Sequence, residues 1–134
     1  MSKRRVLVVD DAPATIELTA FVLNAAGFSV ETAIDAVSTM LQVQSFKPDL
    51  ILMDVQMPGV DGLELTRRLK IDPATRHIVV VAFTAFAMRG DEARMRAVGC
   101  DGYIAKPFDV ATLAETVHSH IRAHGDGRAQ SEMA

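Results

Sequence analysis

Short apolar runs alternate along this chain with longer stretches that have the period of a helix. The runs cover residues 6–9, 28–32, 50–53, 78–83 and 103–105. The runs at 6–9, 50–53 and 78–83 are apolar at nearly every position, which is typical of strands covered on both faces in a parallel sheet. The pattern therefore predicts five strands.

Five helical stretches follow these runs. Apolar residues recur at helical spacing over 14–22, and Gly27 ends this first helix. A second helix is predicted over 33–44. Leu65 and Leu69 mark a third helix, which ends before Pro73. A fourth helix is predicted over 88–98, and a fifth passes through residues 113, 117 and 121 with Asp109 as its N-cap. Strands alternating with helices predict a doubly wound α/β domain, in which ligands bind beyond the carboxyl ends of the strands.

Composition narrows the class of protein. The 134 residues fit one domain, and 49% of them are hydrophobic, which suffices for a core. Cys100 is the only cysteine, so an internal disulfide is excluded and a reducing compartment is expected. The net charge of -3, with no basic stripe, argues against a nucleic-acid partner. The run at 6–9 is too short for a signal peptide or a membrane span, so we expect a cytoplasmic protein with no membrane partner.

Polar residues follow four of the five predicted strands. They are Asp10 and Asp11, Asp54, Thr84 and Lys106. Because the carboxyl ends of parallel strands lie along one edge of a sheet, these side chains are expected to converge there. Any one of them alone is as well explained as a helix cap, a turn residue or a solvated charge. The coincidence of all four strand ends is what indicates a site.

This set of residue types is suited to phosphoryl chemistry. Three carboxylates at close range repel one another, and a hard divalent cation such as Mg²⁺ relieves that repulsion while keeping room for a phosphate oxygen. Lys106 and the hydroxyl of Thr84 can bind further phosphate oxygens. Asp54 follows the central strand and is the candidate nucleophile, which would form an aspartyl phosphate.

The chain resembles the receiver domain of two-component response regulators over residues 4 to about 123. The likeness is carried by four stretches: VLVVDD (6–11), PDLILMDVQMPGVDGLEL (48–65), VVVAFTA (79–85) and GYIAKPF (102–108). It implies the flavodoxin-like fold with strand order 2-1-3-4-5. It also implies that Asp54 accepts its phosphoryl group from a phosphohistidine on a histidine kinase or a histidine phosphotransfer protein.

The resemblance further implies roles for single residues. Asp11 and Asp54 would bind Mg²⁺ through their side chains, Gln56 through its backbone carbonyl, and Asp10 through water. Thr84 and Tyr103 occupy the positions of the residues that switch conformation on phosphorylation in this family. The Lys106–Pro107 peptide bond matches the family's cis bond.

The stretch 85–107 is similar to the small single-domain receivers of cell-cycle phosphorelays, the DivK type, and to receivers fused to hybrid kinases. The chain begins at Met1 and shows nothing like an output domain after Ile121, so a free-standing receiver over 4–123 with a disordered tail over 124–134 is expected. Its output would be a contact with a downstream protein through the fourth helix, fifth strand and fifth helix. Candidate members of that face are Met88, Arg89, Tyr103 and Phe108.

Three other functions compete with this interpretation. An aspartate-dependent phosphohydrolase of the haloacid-dehalogenase type needs two aspartates one residue apart, whereas Asp10 and Asp11 are adjacent and no cap domain is evident. A flavodoxin needs a Ser/Thr/Gly-rich phosphate loop after the first strand, where this chain has acidic residues. A phosphorylation-independent interaction module would have no need of the complete pocket. We therefore expect a phosphoacceptor signalling protein, with no catalytic turnover of a metabolite.

Overall fold

Five parallel strands form the central sheet of the computed structural model, which describes residues 3–57, 60–85 and 89–126. The strands are β1 (Arg5–Val9), β2 (Ser29–Ala33), β3 (Leu50–Met53), β4 (Val79–Thr84) and β5 (Gly102–Ala105). Their order across the sheet is β2-β1-β3-β4-β5, and every neighbouring pair is parallel. The expected strand order 2-1-3-4-5 is therefore confirmed.

Each strand of the sheet is followed by a helix. The helices are α1 (Pro13–Ala25), α2 (Ala36–Phe46), α3 (Gly62–Ile71), α4 (Arg89–Ala97) and α5 (Leu113–His120), and a π-helical segment (Ile121–Asp126) continues from α5. The predicted doubly wound α/β fold with five helices is thus confirmed. Within the described residues, no helix has both the length and the apolar character needed to cross a membrane.

Both faces of the sheet are buried, which explains the continuous apolar runs. Alternate residues of each strand point to opposite faces. On one face Val8, Leu52 and Val81 pack with α1 and α5 around Leu23 and Val117. The other face contributes a second cluster, which packs with α2 and α3; it includes Leu7, Val9, Ile51, Met53, Val80, Val43, Leu65 and Leu69.

A short antiparallel hairpin, Gln56–Met57 with Val60–Asp61, follows β3 and was not predicted. Strands of two residues carry no readable hydrophobic period. The hairpin joins the end of β3 to the start of α3, and so occupies the stretch immediately after Asp54.

The apolar residues that predict α1 lie mostly on its exposed side. Only Val22 packs against the core, while Leu18 remains 45% exposed. The helix buries Thr19 and Leu23 instead. Burial of Thr19 is tolerated because its hydroxyl donates a hydrogen bond of 2.6 Å to the carbonyl oxygen of Thr15. The spacing of apolar residues does not identify a buried threonine whose hydroxyl is hydrogen-bonded to the backbone.

The prediction that Asp109 is the N-cap of α5 is wrong. The helix begins at Leu113, and Thr112 is its N-cap residue, without a side-chain capping bond. Asp109 lies three residues before this N-cap, in a turn where its carboxylate accepts a hydrogen bond from the backbone N–H of Ala111 at 2.9 Å. Asp side chains favour both positions, and the sequence does not distinguish them.

Helical structure continues past residue 123, where the domain is expected to end. Residues 124–126 are predicted to begin a disordered tail, but they belong to the π-helical segment that follows α5. Residues 127–134, the rest of that predicted tail, lie outside the described residues. The domain boundary near residue 123 stays a prediction.

A largely buried ion pair joins the end of α3 to the start of β5. The Lys70 ammonium lies 2.7 Å from a carboxylate oxygen of Asp101, and the two side chains are only 13% and 11% exposed. Lys70 also donates to the carbonyl oxygen of Ile78 at 2.7 Å, and the same Asp101 oxygen accepts from the backbone N–H of Val80 at 2.9 Å. Asp101 therefore satisfies both a buried cation and a backbone donor of β4.

Asp101→Ala is expected to lower the free energy of unfolding by about 3 kcal/mol, because it removes the counter-charge of the Lys70 ammonium and leaves the backbone N–H of Val80 without its acceptor. Glu92→Ala is the matched control. It removes an exposed pair of α4, in which Glu92 lies 2.7 Å from Arg96, and should cost less than about 1 kcal/mol. Urea unfolding of the three proteins measures both values, and equal losses would contradict the prediction.

Candidate functional site

Backbone hydrogen bonds between neighbouring strands continue one residue past the strand ends and set the positions of the polar residues. The N–H of Asp10 donates to the carbonyl oxygen of Ala33 at 3.1 Å, and the N–H of Asp54 donates to that of Val9 at 2.9 Å. At the other side of the sheet, the N–H of Lys106 donates to the carbonyl oxygen of Thr84 at 2.8 Å. The sheet therefore brings residues nearly one hundred positions apart in sequence to a common edge.

Three carboxylates cluster at this edge. One oxygen each from Asp10, Asp11 and Asp54 lies within 4.8 Å of the others. Asp10 is fully buried and Asp54 is 5% exposed, whereas Asp11 is exposed to solvent. Carboxylate oxygens at this spacing form the hard donor set that Mg²⁺ prefers, and the exposed side leaves room for waters and a phosphate oxygen. The residues present therefore fit the cation that the sequence predicts.

Lys106 lies between two of these carboxylates. Its ammonium is 2.5 Å from one oxygen of Asp10 and 3.4 Å from an oxygen of Asp54. The other Asp10 oxygen accepts a hydrogen bond from the backbone N–H of Ala12 at 2.9 Å. Both oxygens of Asp10 are thus bonded to the protein, and Asp10 holds the cationic side chain beside Asp54.

An aromatic ring lies beneath the same ammonium. The Nζ atom of Lys106 is 4.9 Å from the ring centroid of Phe83, a distance at which a cation is attracted to the ring face. Phe83 is fully buried, and its ring is tilted against that of Phe108 at 5.7 Å. Phe83 could not be identified as a site residue from the sequence, because an apolar residue inside a strand is expected to belong to the core alone.

Gly62 is a second residue that sequence reasoning missed. It begins α3 directly against the backbone of the Asp54 loop. A Cβ atom at this position would overlap the carbonyl oxygen of Asp54 and lie 2.8 Å from the Cα atom of Val55. Only glycine permits so close an approach between two backbones. The Asp61-Gly62 pair carries the signal of a turn, but it does not reveal that the glycine faces the site.

The remaining predicted residues are distributed as follows. Thr84 is fully buried at the end of β4, beside Ala105 in the ladder. Tyr103, on β5, pairs with Ala82 of β4 and is 41% exposed. Gln56 begins the hairpin two residues after Asp54.

The Lys106–Pro107 peptide bond is cis, the isomer that the resemblance implies. Arg89 is the first residue of α4, Phe108 packs partly buried against the core, and Met88 lies outside the described residues.

Comparison with known proteins gives a consistent result. The family model of the response regulator receiver domain matches residues 6–118. The chain is 41% identical over 118 residues to the polar-differentiation response regulator DivK of Brucella anthropi, which covers 88% of this chain and 96% of that protein. DivK of Brucella ovis matches with the same identity and coverage.

Solved structures show the same likeness. The chemotaxis response regulator CheY4 of Vibrio cholerae superposes with a TM-score of 0.82 at 28% identity, covering 89% of this chain and 99% of that one. A CheY-like receiver domain protein of Methanospirillum hungatei superposes with a TM-score of 0.85 at 25% identity, covering 94% and 99%. The family match, the relatives and the fold agree, and the chain belongs to the response regulator receiver domain family of two-component systems.

Proposed function

We propose that this chain is a single-domain response regulator that accepts a phosphoryl group on Asp54 and signals through a protein contact. The observation that carries the proposal is the position of the Lys106 ammonium, 3.4 Å from Asp54 inside a cluster of three carboxylates. A receiver module of a hybrid-kinase phosphorelay would use the same site, and it remains the alternative.

In the proposed transfer, a carboxylate oxygen of Asp54 attacks the phosphorus of a phosphohistidine on the donor protein. A P–O bond forms, the P–N bond breaks, and the leaving imidazole keeps the electron pair. We propose that the Lys106 ammonium and the hydroxyl of Thr84, at the adjacent strand end, stabilise negative charge on the transferring group. Asp10 contributes by holding the ammonium in position.

Receiver domains generally bind Mg²⁺ at an acidic pocket, and the carboxylates of this chain form one. We propose Asp11 and Asp54 as side-chain ligands, the Gln56 backbone carbonyl as a third, and Asp10 as a contact through water. The cation would neutralise charge between the carboxylates and the phosphoryl oxygens. The two bonds that Asp10 already makes to the protein favour its indirect role.

The donor protein is proposed to dock in a groove of about 370 Å³ beside Lys106. Its walls come from α1 and from the stretches after β4 and β5, and are mostly apolar. They are formed by Ala14, Thr15, Leu18, Ala85, Lys106, Pro107 and Phe108. The downstream target is proposed to bind the face of α4, β5 and α5, where a cavity of about 290 Å³ is bordered by Met95, Tyr103 and His120.

Incubation with a small-molecule phosphodonor and Mg²⁺ should convert the protein to an acyl phosphate that hydroxylamine removes. Intact mass spectrometry measures the conversion. Asp54→Asn should abolish the conversion, and chelation of the metal should suppress it. Asp72→Asn should leave it unchanged, because Asp72 is exposed and is not part of the carboxylate cluster. Equal phosphorylation of Asp54→Asn would refute the site, and turnover of a phosphate ester would favour the phosphohydrolase.

Phe83→Leu is expected to slow phosphorylation by the same donor by roughly 3- to 10-fold, because the ammonium of Lys106 loses the ring beneath it. Phe28→Leu, the same change in another buried ring, controls for loss of packing. In a Lys106→Ala background, Phe83→Leu should have no further effect on the rate. An equal slowing in both backgrounds would mean that Phe83 acts through packing alone.

Tyr103 is the only tyrosine of a chain without tryptophan, so it reports on its own environment. If its ring moves inward on phosphorylation, quenching of its fluorescence by acrylamide should weaken when the phosphodonor is added, since the ring is 41% exposed beforehand. Thr84→Ala should remove the change while Asp54 still accepts phosphate. Identical quenching before and after phosphorylation would exclude Tyr103 as a switch residue.

A further inference from the structure

Helix α2 differs from the other helices in its charge. Of the five helices in the described residues, it alone contains no Asp, Glu, Lys, Arg or His; its sequence is AVSTMLQVQSF. Surface helices normally carry charged residues on the face turned to water. An uncharged helix on the surface of a protein with a net charge of -3 therefore calls for an explanation.

The exposed face of α2 is uncharged: it is apolar in its first turns and ends in the polar residues Gln44 and Ser45. Val37 is 71% exposed and Leu41 is 61% exposed, and Ile34, just before the helix, is 60% exposed. Val37 and Leu41 lie four positions apart on one face of the helix, and Ile34 precedes the N-cap Asp35. Thr39 and Val43 are the buried residues of the same helix.

Opposite charges flank the two ends of this uncharged helix. Asp35 is the N-cap, and its carboxylate accepts hydrogen bonds from the backbone N–H and the hydroxyl of Ser38 at 2.8 and 2.7 Å. These bonds lower the pKa of the Asp35 carboxyl, which is therefore ionised at neutral pH. Lys47 is the C-cap and is exposed, and Leu41 lies midway between the two in sequence.

We infer that α2 is a self-association surface, on which a second copy of this chain packs its own α2 antiparallel across a two-fold axis at Leu41. In that arrangement Leu41 meets Leu41 of the second copy, and Asp35 of each copy lies near Lys47 of the other. A two-fold contact brings each residue near the axis close to its own copy, so a charged residue there would repel itself. The absence of charge from α2 meets this requirement.

Antiparallel pairing is favoured over parallel pairing for two reasons. A parallel pair would bring Asp35 against Asp35 and Lys47 against Lys47. It would also align the two helix dipoles, whereas antiparallel helices set the N-terminus of one beside the C-terminus of the other. The charge pairing and the dipole arrangement therefore both add to the stability that the apolar contact gives the antiparallel pair.

The contact is assigned to the helix, although β2 beside it is an edge strand of the sheet. Glu31 is exposed on β2. In a two-fold pairing of β2 edges this carboxylate would be drawn close to that of the second copy, and charges on edge strands oppose such pairing.

The surface lies on the opposite face of the sheet from the groove proposed for the donor protein. α2 packs in the core cluster on one face of the sheet, whereas α1, which lines the donor groove, packs in the cluster on the other face. Self-association through α2 would thus leave the groove open. The inference goes beyond the proposed function, and it predicts that Asp54→Asn associates as the unaltered chain does.

Few side chains contribute, so the contact should be weak. Stable interfaces bury on the order of 1,200–2,000 Å² in total, more than one short helix from each copy supplies. We expect reversible dimers with a Kd on the order of 0.1–1 mM.

Sedimentation equilibrium of the full chain over a concentration series tests the inference. The average mass should rise above the monomer mass of 14.5 kDa with concentration. Leu41→Glu should hold the mass at that of the monomer, and Lys47→Glu should weaken association. Asp35→Ser keeps a capping side chain but removes the charge, and should also weaken it.

Phe21→Glu is the matched control, since Phe21 is a 73% exposed apolar residue of α1. It should associate like the unaltered chain. A monomeric mass at every concentration would overturn the inference, as would an equal effect of Phe21→Glu and Leu41→Glu. Circular dichroism confirms that each variant is folded.

A cross-link tests the position of the axis. In a Cys100→Ser background, Leu41→Cys should form a disulfide-linked dimer on mild oxidation, because residues at a two-fold axis come within disulfide distance of each other. Phe21→Cys should not. Dimers of Phe21→Cys in place of Leu41→Cys would assign the contact to α1 and overturn the inference.

Discussion

The ion pair between Lys106 and Asp10 is the interaction on which the arrangement of the site depends. It joins the residue after β1 to the residue after β5, two elements that do not touch in the sheet, and it sets an ammonium group beside Asp54. Asp10 is fully buried, so its charge is tolerable only with such a partner and with the backbone N–H of Ala12. The same pair that satisfies a buried carboxylate thus prepares a cation for an incoming anion.

The sheet makes this pair possible by its register. Hydrogen bonds between strands run one residue past the regular ladder, and they hold Asp10, Asp54 and Lys106 at one level. Because helices cover both faces of the sheet, its carboxyl edge is where polar groups reach solvent without crossing the core. The site is therefore held in place by the buried sheet and is open to solvent at the carboxyl edge.

Phe83 and Gly62 contribute to the site, although their residue types do not suggest a functional role. Phe83 is buried like its neighbours in β4, yet one face of its ring meets the Lys106 ammonium. Gly62 permits α3 to begin against the Asp54 carbonyl. A pattern of polar strand ends does not reveal either, because the first depends on where a side chain from another strand points and the second on the approach of two backbones.

The sequence pattern by itself determined the five strands, the five helices and the convergence of Asp10, Asp54 and Lys106, since each depends on local period or on the common direction of parallel strands. Only the tertiary structure decided which face of α1 is buried, where α5 begins, and that the chain continues in helical form to Asp126. It also decided the pairing of Asp10 with Lys106 and of Lys70 with Asp101. These features depend on contacts between residues that are far apart in the sequence. A local stretch of sequence therefore does not reveal them.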